Sequence, residues 1–231
     1  MSKKLVVANW KMNGDIKLVK EYSQLFNENI FSHDVVVCPP FVYLWSAIGI
    51  NGYHVGAQDC HFAKNGAYTG AISPKMLKNL GVKYVILGHS ERRENFAETD
   101  ILVGRKAISA QEEGLIPIIC IGESLAEREN GEVFEVLKNQ LTFSIPKGDY
   151  PVIIAYEPVW AIGSGKIPTP SDIIQVLTFI KEIVPHAKVL YGGSVKASNA
   201  KMLLELDCLD GILIGGASLE VKELKNILTE F

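Results

Sequence analysis

The chain has 231 residues, of which 48% are hydrophobic, and a formal net charge of −3. This length suits one α/β barrel or two small domains, and the hydrophobic content is typical of a packed core rather than a disordered chain. The charge is too small to indicate nucleic-acid binding, and no apolar stretch approaches the ~18 residues of a membrane span, so neither partner is expected.

Four cysteines stand at Cys38, Cys60, Cys120 and Cys208, and none of them forms a Cys-x-x-Cys pair. Such spacing favours buried, reduced thiols in an intracellular protein. The apolar run at 5–8 is too short for the core of a signal peptide. We therefore expect a cytoplasmic protein.

Short apolar runs rich in β-branched residues recur along the whole chain. They cover Leu5–Ala8, Val35–Cys38, His54–Ala57, Tyr84–Leu87, Ile116–Ile121, Val152–Tyr156, Lys188–Tyr191 and Ile212–Ile214. Because these runs lack strict alternation, they predict parallel strands that are covered on both faces.

Segments with helical spacing lie between several of these runs. They cover Ile16–Asn27, Asp100–Glu113, Glu132–Phe143, Ser171–Val184 and Val221–Leu228. We predict that Ser171, which follows Pro170, is the N-cap of the fourth helix.

Eight strands that alternate with helices form either a closed barrel or an open doubly wound sheet. The open sheet should carry a Gly-x-Gly-x-x-Gly turn after its first strand, but this chain has Asn-Trp-Lys-Met-Asn-Gly at 9–14. The sequence therefore predicts an α/β fold with a single (β/α)₈ barrel over residues 1–231.

Polar residues and glycines follow the predicted strands, where such barrels place their chemistry. Asn9 and Lys11 follow the first strand, His89 follows the fourth and Glu157 follows the sixth. These side chains are predicted to meet at one rim of the barrel.

Glu157 is a candidate general base, because a carboxylate at the apolar end of a strand is partly desolvated. The alternative is a structural carboxylate paired with an arginine.

His89 precedes the start of a helix, where the positive end of the helix dipole disfavours imidazolium, so its neutral ring could donate a hydrogen bond to a carbonyl oxygen. A structural histidine is the alternative. The other histidines have no spacing that would form a metal site, and no metal is expected.

Lys11 could reach an anionic substrate, although a surface lysine would look the same in the sequence. Glycine pairs follow the last two strands, at Gly192-Gly193-Ser194 and at Gly215-Gly216, where barrels commonly bind phosphate through backbone N–H groups. Tight turns are the alternative.

The segment 163–166 does not complete a nucleotide P-loop. Trp160 stands where the motif requires glycine, and Ile167 stands where it requires serine or threonine.

Seven short stretches, in order and across essentially the whole chain, resemble the triosephosphate isomerase family. They are ANWKMN (8–13), GAYTG (66–70), LGHSERR (87–93), CIGE (120–123), AYEPVWAIGSGK (155–166), YGGSV (191–195) and GGASL (215–219).

The resemblance implies an isomerase of glycolysis and gluconeogenesis that needs no cofactor and no metal. Glu157 would shuttle a proton between C1 and C2 of dihydroxyacetone phosphate and D-glyceraldehyde 3-phosphate. His89 would act as the neutral electrophile, Lys11 and Asn9 would stabilise the oxyanion and hold the substrate, and Glu91 would pair with the lysine. The implied phosphate ligands are the N–H groups of Gly163, Ser194, Gly215 and Gly216.

The resemblance also implies a mobile lid with its first hinge at 158–160. Trp160 and Glu123 match a family pair that hydrogen-bonds when the lid is open. Tyr191 matches a tyrosine that in much of the family bonds a backbone N–H of the closed lid. The matching lid position here is Pro168, which has no N–H, so this latch is expected to be missing.

A homodimer is implied as well. Thr69 lies at the tip of the 66–70 stretch, which in the family inserts beside Asn9 and Lys11 of the partner subunit.

Two other functions stay open from the residues alone: a Schiff-base phosphosugar aldolase that uses Lys11, and a non-catalytic barrel that acts as a binding module.

Overall fold

A computed structural model describes residues 3–148, 150–162 and 167–229. Eight parallel strands close into a barrel in chain order. They are β1 Leu5–Asn9, β2 Asp34–Cys38, β3 His54–Ala57, β4 Tyr84–Leu87, β5 Ile116–Ile121, β6 Ile153–Tyr156, β7 Lys188–Tyr191 and β8 Gly211–Ile214. The predicted (β/α)₈ barrel is confirmed, and each predicted strand ends within one residue of an observed one.

Helices surround this barrel. The described residues contain α1 Ile16–Glu28, α2 Leu44–Ala47, α3 Pro74–Leu80, α4 Ser90–Phe96, α5 Asp100–Glu112, α6 Leu125–Glu129, α7 Val133–Ser144, α8 Pro170–Ile183, α9 Ala197–Leu204 and α10 Val221–Thr229. Short 3₁₀ turns cover Phe41–Tyr43, Val159–Ala161 and Gly216–Leu219. Of the helices described, none has the length and apolar character needed to cross a bilayer.

The predicted N-cap at Ser171 is wrong. Helix α8 begins one residue earlier, at Pro170, because proline suits the first helical position. Thr169 is the N-cap: its hydroxyl accepts the Asp172 N–H at 3.2 Å, and the Asp172 carboxylate accepts the Thr169 N–H at 3.1 Å. This reciprocal capping box satisfies two backbone donors at the start of α8.

The strands bury both of their faces. One set of side chains fills the barrel interior: Leu5, Val7, Val36, Cys38, Tyr84, Ile86, Ile118, Cys120, Ile153, Ala155, Leu190 and Leu213. The alternate strand positions join the helices in a larger apolar layer outside the barrel. All four cysteines are free thiols, and three of them are buried. The filled interior leaves the functional groups at the strand ends rather than inside the barrel.

Closure of the barrel depends on a close approach between β8 and β1. Gly211 pairs in register with Leu5, and the next three residues of β8 pair in the same register with the next three residues of β1. A Cβ atom added at Gly211 would lie 1.9 Å from the Leu5 carbonyl oxygen. The two backbones could not keep this spacing with any other residue at that position.

We therefore expect Gly211→Ala to lower the free energy of unfolding by about 3 kcal/mol, because the backbone of the last strand must shift away from the first. Denaturant unfolding followed by circular dichroism measures this loss. Gly216→Ala is the matched control, since an added Cβ there meets nothing within 4 Å. Equal stability of the two variants would contradict the packing argument.

Candidate active site

The four predicted catalytic residues lie around one cavity of about 580 Å³ at the carboxyl ends of the strands. Asn9 ends β1, and Lys11 follows two residues later. His89 and Glu157 follow β4 and β6. The cavity lining includes all four of these residues together with Gly192, Gly193, Ser194, Gly215 and Gly216.

Glu157 is buried, with 1% of its surface exposed. Its backbone N–H donates to the Ile121 carbonyl at 2.7 Å, which extends the β5–β6 ladder to the rim. Oε2 of the carboxylate accepts the Ser90 N–H at 3.2 Å. Oε1 is buried and has no well-directed donor among the described residues. One oxygen is thus held in place while the other is available to accept a proton.

A glycine makes room for the backbone of Glu157. A Cβ added at Gly122 would lie 1.7 Å from the Glu157 carbonyl oxygen, so only glycine allows the loop after β5 to pass so close. The side-chain amide of Gln140 holds that loop, because it accepts the Gly122 N–H at 2.8 Å and donates to the Gly122 carbonyl at 3.0 Å.

His89 is the N-cap of α4, and its ring orientation follows from that position. Nδ1 accepts the Glu91 N–H at 3.2 Å. A nitrogen that accepts a hydrogen bond carries no proton, so this contact assigns the proton of the neutral ring to Nε2. Nε2 lies 3.2 Å from Oε1 of Glu157, without the alignment of a hydrogen bond. A neutral ring can therefore direct its one N–H into the cavity beside the carboxylate.

Lys11 and Asn9 also line the cavity. The Lys11 backbone is left-handed, with φ of 53°, which is strained for a residue other than glycine by about 1–3 kcal/mol. Its N–H donates to Oδ1 of the buried Asn9 at 2.9 Å. The Lys11 ammonium lies 2.7 Å from Oε1 of Glu91. The predicted pairing of Glu91 with this lysine is thus present in the geometry.

Glu123 supports the start of the predicted lid. Its buried Oε1 accepts three donors: the Arg128 guanidinium at 2.8 Å, the Trp160 indole N–H at 2.8 Å and the Tyr156 hydroxyl at 3.2 Å. Burial and the Glu123 carboxylate both raise the pKa of Tyr156, so its hydroxyl keeps the proton that it donates. The Val159 N–H also donates to the Glu123 carbonyl at 3.0 Å. The Trp160–Glu123 contact is the one that the family resemblance implies for an open lid.

Two further residues concern the far end of the lid. Tyr191 is buried, and none of the described residues accepts a hydrogen bond from its hydroxyl. Burial, followed by the Glu123 carboxylate, raises the pKa of Tyr191. Pro168 is buried and has no N–H to offer. Gly163, which the resemblance implies as a phosphate ligand, lies outside the described residues.

Thr69 is exposed and lies outside this cavity in its own chain. The segment that carries it is ordered by aromatic contacts. Tyr68 lies 4.2 Å from the ring of His61 and 6.0 Å from that of Phe62, measured between centroids. The 66–70 stretch therefore presents Thr69 outward from the barrel.

Sequence reasoning missed several residues that hold the site together. Arg93 donates to the Gly88 carbonyl at 2.7 Å and to the Cys120 carbonyl at 3.1 Å, which ties the end of β4 to the end of β5. Asp100 pairs with the same guanidinium at 2.5 Å. Ser90 contributes only its backbone, so no side-chain pattern could reveal it. For Arg93 the available signal was its place four residues after His89, on the first turn of a helix.

Cys120 lies under the carboxylate. Burial raises the pKa of its thiol, and the neighbouring Glu157 carboxylate raises it further. The thiol therefore stays protonated beside the carboxylate.

Across the described ranges, no group of three or more His, Cys, Asp or Glu side chains is arranged to hold a metal ion.

Comparisons with known proteins agree with this geometry. The sequence model of the family described as triosephosphate isomerase matches residues 4–231. A triosephosphate isomerase of Aquifex aeolicus is 40% identical over 246 aligned positions, which cover 99% of this chain and 100% of that protein. A triosephosphate isomerase of Bartonella bacilliformis is 45% identical and covers 96% of this chain and 94% of its own.

A solved structure is similar over the same extent. The crystal structure of triosephosphate isomerase from Bartonella henselae superposes with a TM-score of 0.89 at 38% identity. The match covers 98% of each chain. The likeness therefore includes the whole barrel and not the rim alone.

Proposed function

Since the chain belongs to the triosephosphate isomerase family, we propose that it interconverts dihydroxyacetone phosphate and D-glyceraldehyde 3-phosphate. The chain is an isomerase by that membership. The observation that carries the proposal is the 3.2 Å contact between Nε2 of His89 and Oε1 of Glu157 in a buried pocket. A base and a hydrogen-bond donor lie side by side, as proton transfer next to a carbonyl requires.

In the proposed reaction, Oε1 of Glu157 removes a proton from the carbon beside the substrate carbonyl. The electron pair of that C–H bond forms a carbon–carbon double bond, and the carbonyl oxygen gains negative charge. The N–H at Nε2 of His89 donates to this oxygen and stabilises it. A proton must also pass between the two oxygens: Nε2 of His89 gives its proton to the oxyanion and regains one from the hydroxyl on the deprotonated carbon, so the negative charge moves to that second oxygen. Glu157 then returns its proton to the former carbonyl carbon while the second oxygen becomes the new carbonyl, which exchanges aldehyde and ketone without net change of charge.

Lys11 supplies positive charge to the same oxygen and to the anionic substrate, with Asn9 beside it. The Lys11 side chain is held by Glu91 at 2.7 Å, which fixes its position at the rim. This pairing also supports isomerase over Schiff-base aldolase chemistry, because a Schiff-base lysine needs a desolvated setting in which its nitrogen is free to attack a carbonyl. The non-catalytic alternative gains no support, because one pocket holds a base (Glu157), a hydrogen-bond donor (His89) and a cation (Lys11) together.

The phosphate group would lie at the glycine end of the cavity. Ser194, Gly215 and Gly216 line the cavity, and their backbone N–H groups would hold the dianion. The N–H of Gly163 would join them when the lid closes, and closure would exclude water from the reacting carbons. The Ser194 hydroxyl, which donates to the Ala161 carbonyl at 2.5 Å, would be a contact between this loop and the lid.

We further propose that the chain folds as one domain and works in the cytoplasm as a homodimer. Large apolar side chains are exposed after β1, on α2 and in the 66–70 segment. Met12 is 94% exposed, Trp45 is 77% exposed and Tyr68 is 46% exposed. A second copy of the chain that received Thr69 beside its Lys11 would cover such a face.

Activity on the two triose phosphates tests the reaction, and Glu157→Asp tests the base. We expect Glu157→Asp to fold normally and to lose roughly 10²-fold in kcat, because the shorter side chain withdraws the oxygen by about 1 Å. Glu182→Asp, on the exposed face of α8, is the matched control and should keep its turnover. Unchanged turnover in Glu157→Asp would contradict the assignment of the base.

For the dimer, we expect Thr69→Arg to shift the protein from dimer to monomer in analytical ultracentrifugation, because a charge would be buried without a partner. The specific activity should fall with the dimer fraction. Thr142→Arg, at an exposed position of α7, provides the control and should leave association unchanged. A wild-type chain that sediments as a monomer at micromolar concentration would refute the homodimer.

For the lid, we expect Pro168→Ala to increase the closed population, since it restores an N–H that the buried Tyr191 hydroxyl could meet. Fluorine NMR of fluorotryptophan at Trp160 reports the two lid states with a bound substrate analogue. Tyr191→Phe should change nothing in the wild type but should cancel the effect of Pro168→Ala. If neither variant alters the lid populations alone or together, the missing-latch interpretation is wrong.

A further inference from the structure

The left-handed backbone at Lys11 needs local support. Among the described residues, only Lys11 and Ala97 combine a side chain beyond hydrogen with a positive φ. Ala97 ends helix α4, where a left-handed residue is common. Lys11 ends no helix, so contacts from elsewhere in the chain must hold its conformation.

Gln58 supplies one of these contacts. It follows β3 directly, and its Nε2 donates to the Lys11 carbonyl at 2.8 Å and to the Cys38 carbonyl at 2.9 Å. Because both neighbours are carbonyl oxygens, only the amide nitrogen can face them, so the orientation of the side chain is unambiguous. One amide thus fastens the loop after β1 to the end of β2.

The conformation at Lys11 decides where its ammonium lies. The side chain crosses the rim so closely that an added Cβ at Gly215 would lie 3.1 Å from the Lys11 Cε. It then meets Glu91 at 2.7 Å. A relaxed, right-handed backbone at residue 11 would turn its Cβ in another direction and carry the ammonium away from the cavity.

We propose that Gln58 is a positioning residue for Lys11: it stabilises the left-handed backbone and thereby keeps the ammonium at the substrate. This inference rests on the proposed function. Gln58 does not line the described cavity, so it acts through Lys11 and not on the substrate itself. The Asn9 side chain fixes the N–H of Lys11, and Gln58 fixes its carbonyl, so together they hold both sides of the strained residue.

The test removes the two donated hydrogen bonds at constant side-chain length. We expect Gln58→Met to lower kcat/KM roughly tenfold or more, because a displaced ammonium loses its contact with the reacting oxygen. Gln111→Met is the matched control: that exposed amide makes one 3.3 Å contact with the Pro151 carbonyl and should keep full activity. Ultracentrifugation should find the same oligomeric state for both variants.

A double-mutant cycle separates positioning from general destabilisation. The dissociation constant of 2-phosphoglycolate, measured calorimetrically, should rise roughly tenfold in Gln58→Met. In a Lys11→Met background the same change should add nothing, because no ammonium remains to be positioned. Independent, additive losses would overturn the proposal. If Gln58→Met does not fold, Gln58→Asn keeps the amide but shortens its reach, and its smaller loss should show the same coupling.

A crystal structure of the Gln58 variant gives a readout apart from activity. We expect φ at Lys11 to leave the left-handed region, and a retained positive φ with full affinity would overturn the proposal. The two failures remain distinguishable. A wild-type chain without isomerase activity would end the proposed function, whereas an active wild type with an unaffected Gln58→Met would end only this inference.

Discussion

The buried carboxylate of Glu157 is the constraint on which the rest of the rim depends. It stands at the end of β6 with almost no exposure to water, and a group of this kind is stable only where hydrogen bonds replace its solvation. Ser90 gives one backbone N–H to Oε2, and His89 turns its ring toward Oε1. The start of α4 therefore supplies a hydrogen-bond donor to Oε2 and places a ring nitrogen 3.2 Å from Oε1, so the site depends on the relative position of β4 and β6.

Contacts between elements distant in sequence maintain that position. Arg93 joins the ends of β4 and β5 behind the site, and Gly122 lets the next loop pass against the backbone of Glu157. One carboxylate oxygen of Glu123 accepts hydrogen bonds from three side chains at the start of the predicted lid. Glu123 is buried and Arg93 is partly buried, where electrostatic interactions are stronger than in water. The ends of β4, β5 and β6 are thus joined by hydrogen bonds behind the site, and the segment that begins the predicted lid is bonded to Glu123.

Much of the fold could be predicted from the sequence, because strands covered on both faces form continuous apolar runs. All eight were found, and the glycines and polar residues after them indicated the rim. The error at Ser171 arose because Thr169 and Asp172 form a reciprocal cap that Pro170 completes. Backbone donors such as the Ser90 N–H could not be predicted, since any residue carries them. The roles of Arg93 and Gln58 depend on which carbonyls the closed barrel brings within their reach, and one sequence does not record such distances.

The central claim is that the neutral ring of His89 carries its proton on Nε2, facing Oε1 of Glu157. The most direct measurement is NMR of the protein with 15N-labelled histidine at neutral pH, with His89→Gln used to assign the signals. We predict one protonated and one unprotonated ring nitrogen for His89, with the proton on Nε2. The 15N chemical shift of Nδ1 should show the effect of the hydrogen bond that this nitrogen accepts from the Glu91 N–H. A doubly protonated ring, or a proton on Nδ1, would contradict the account.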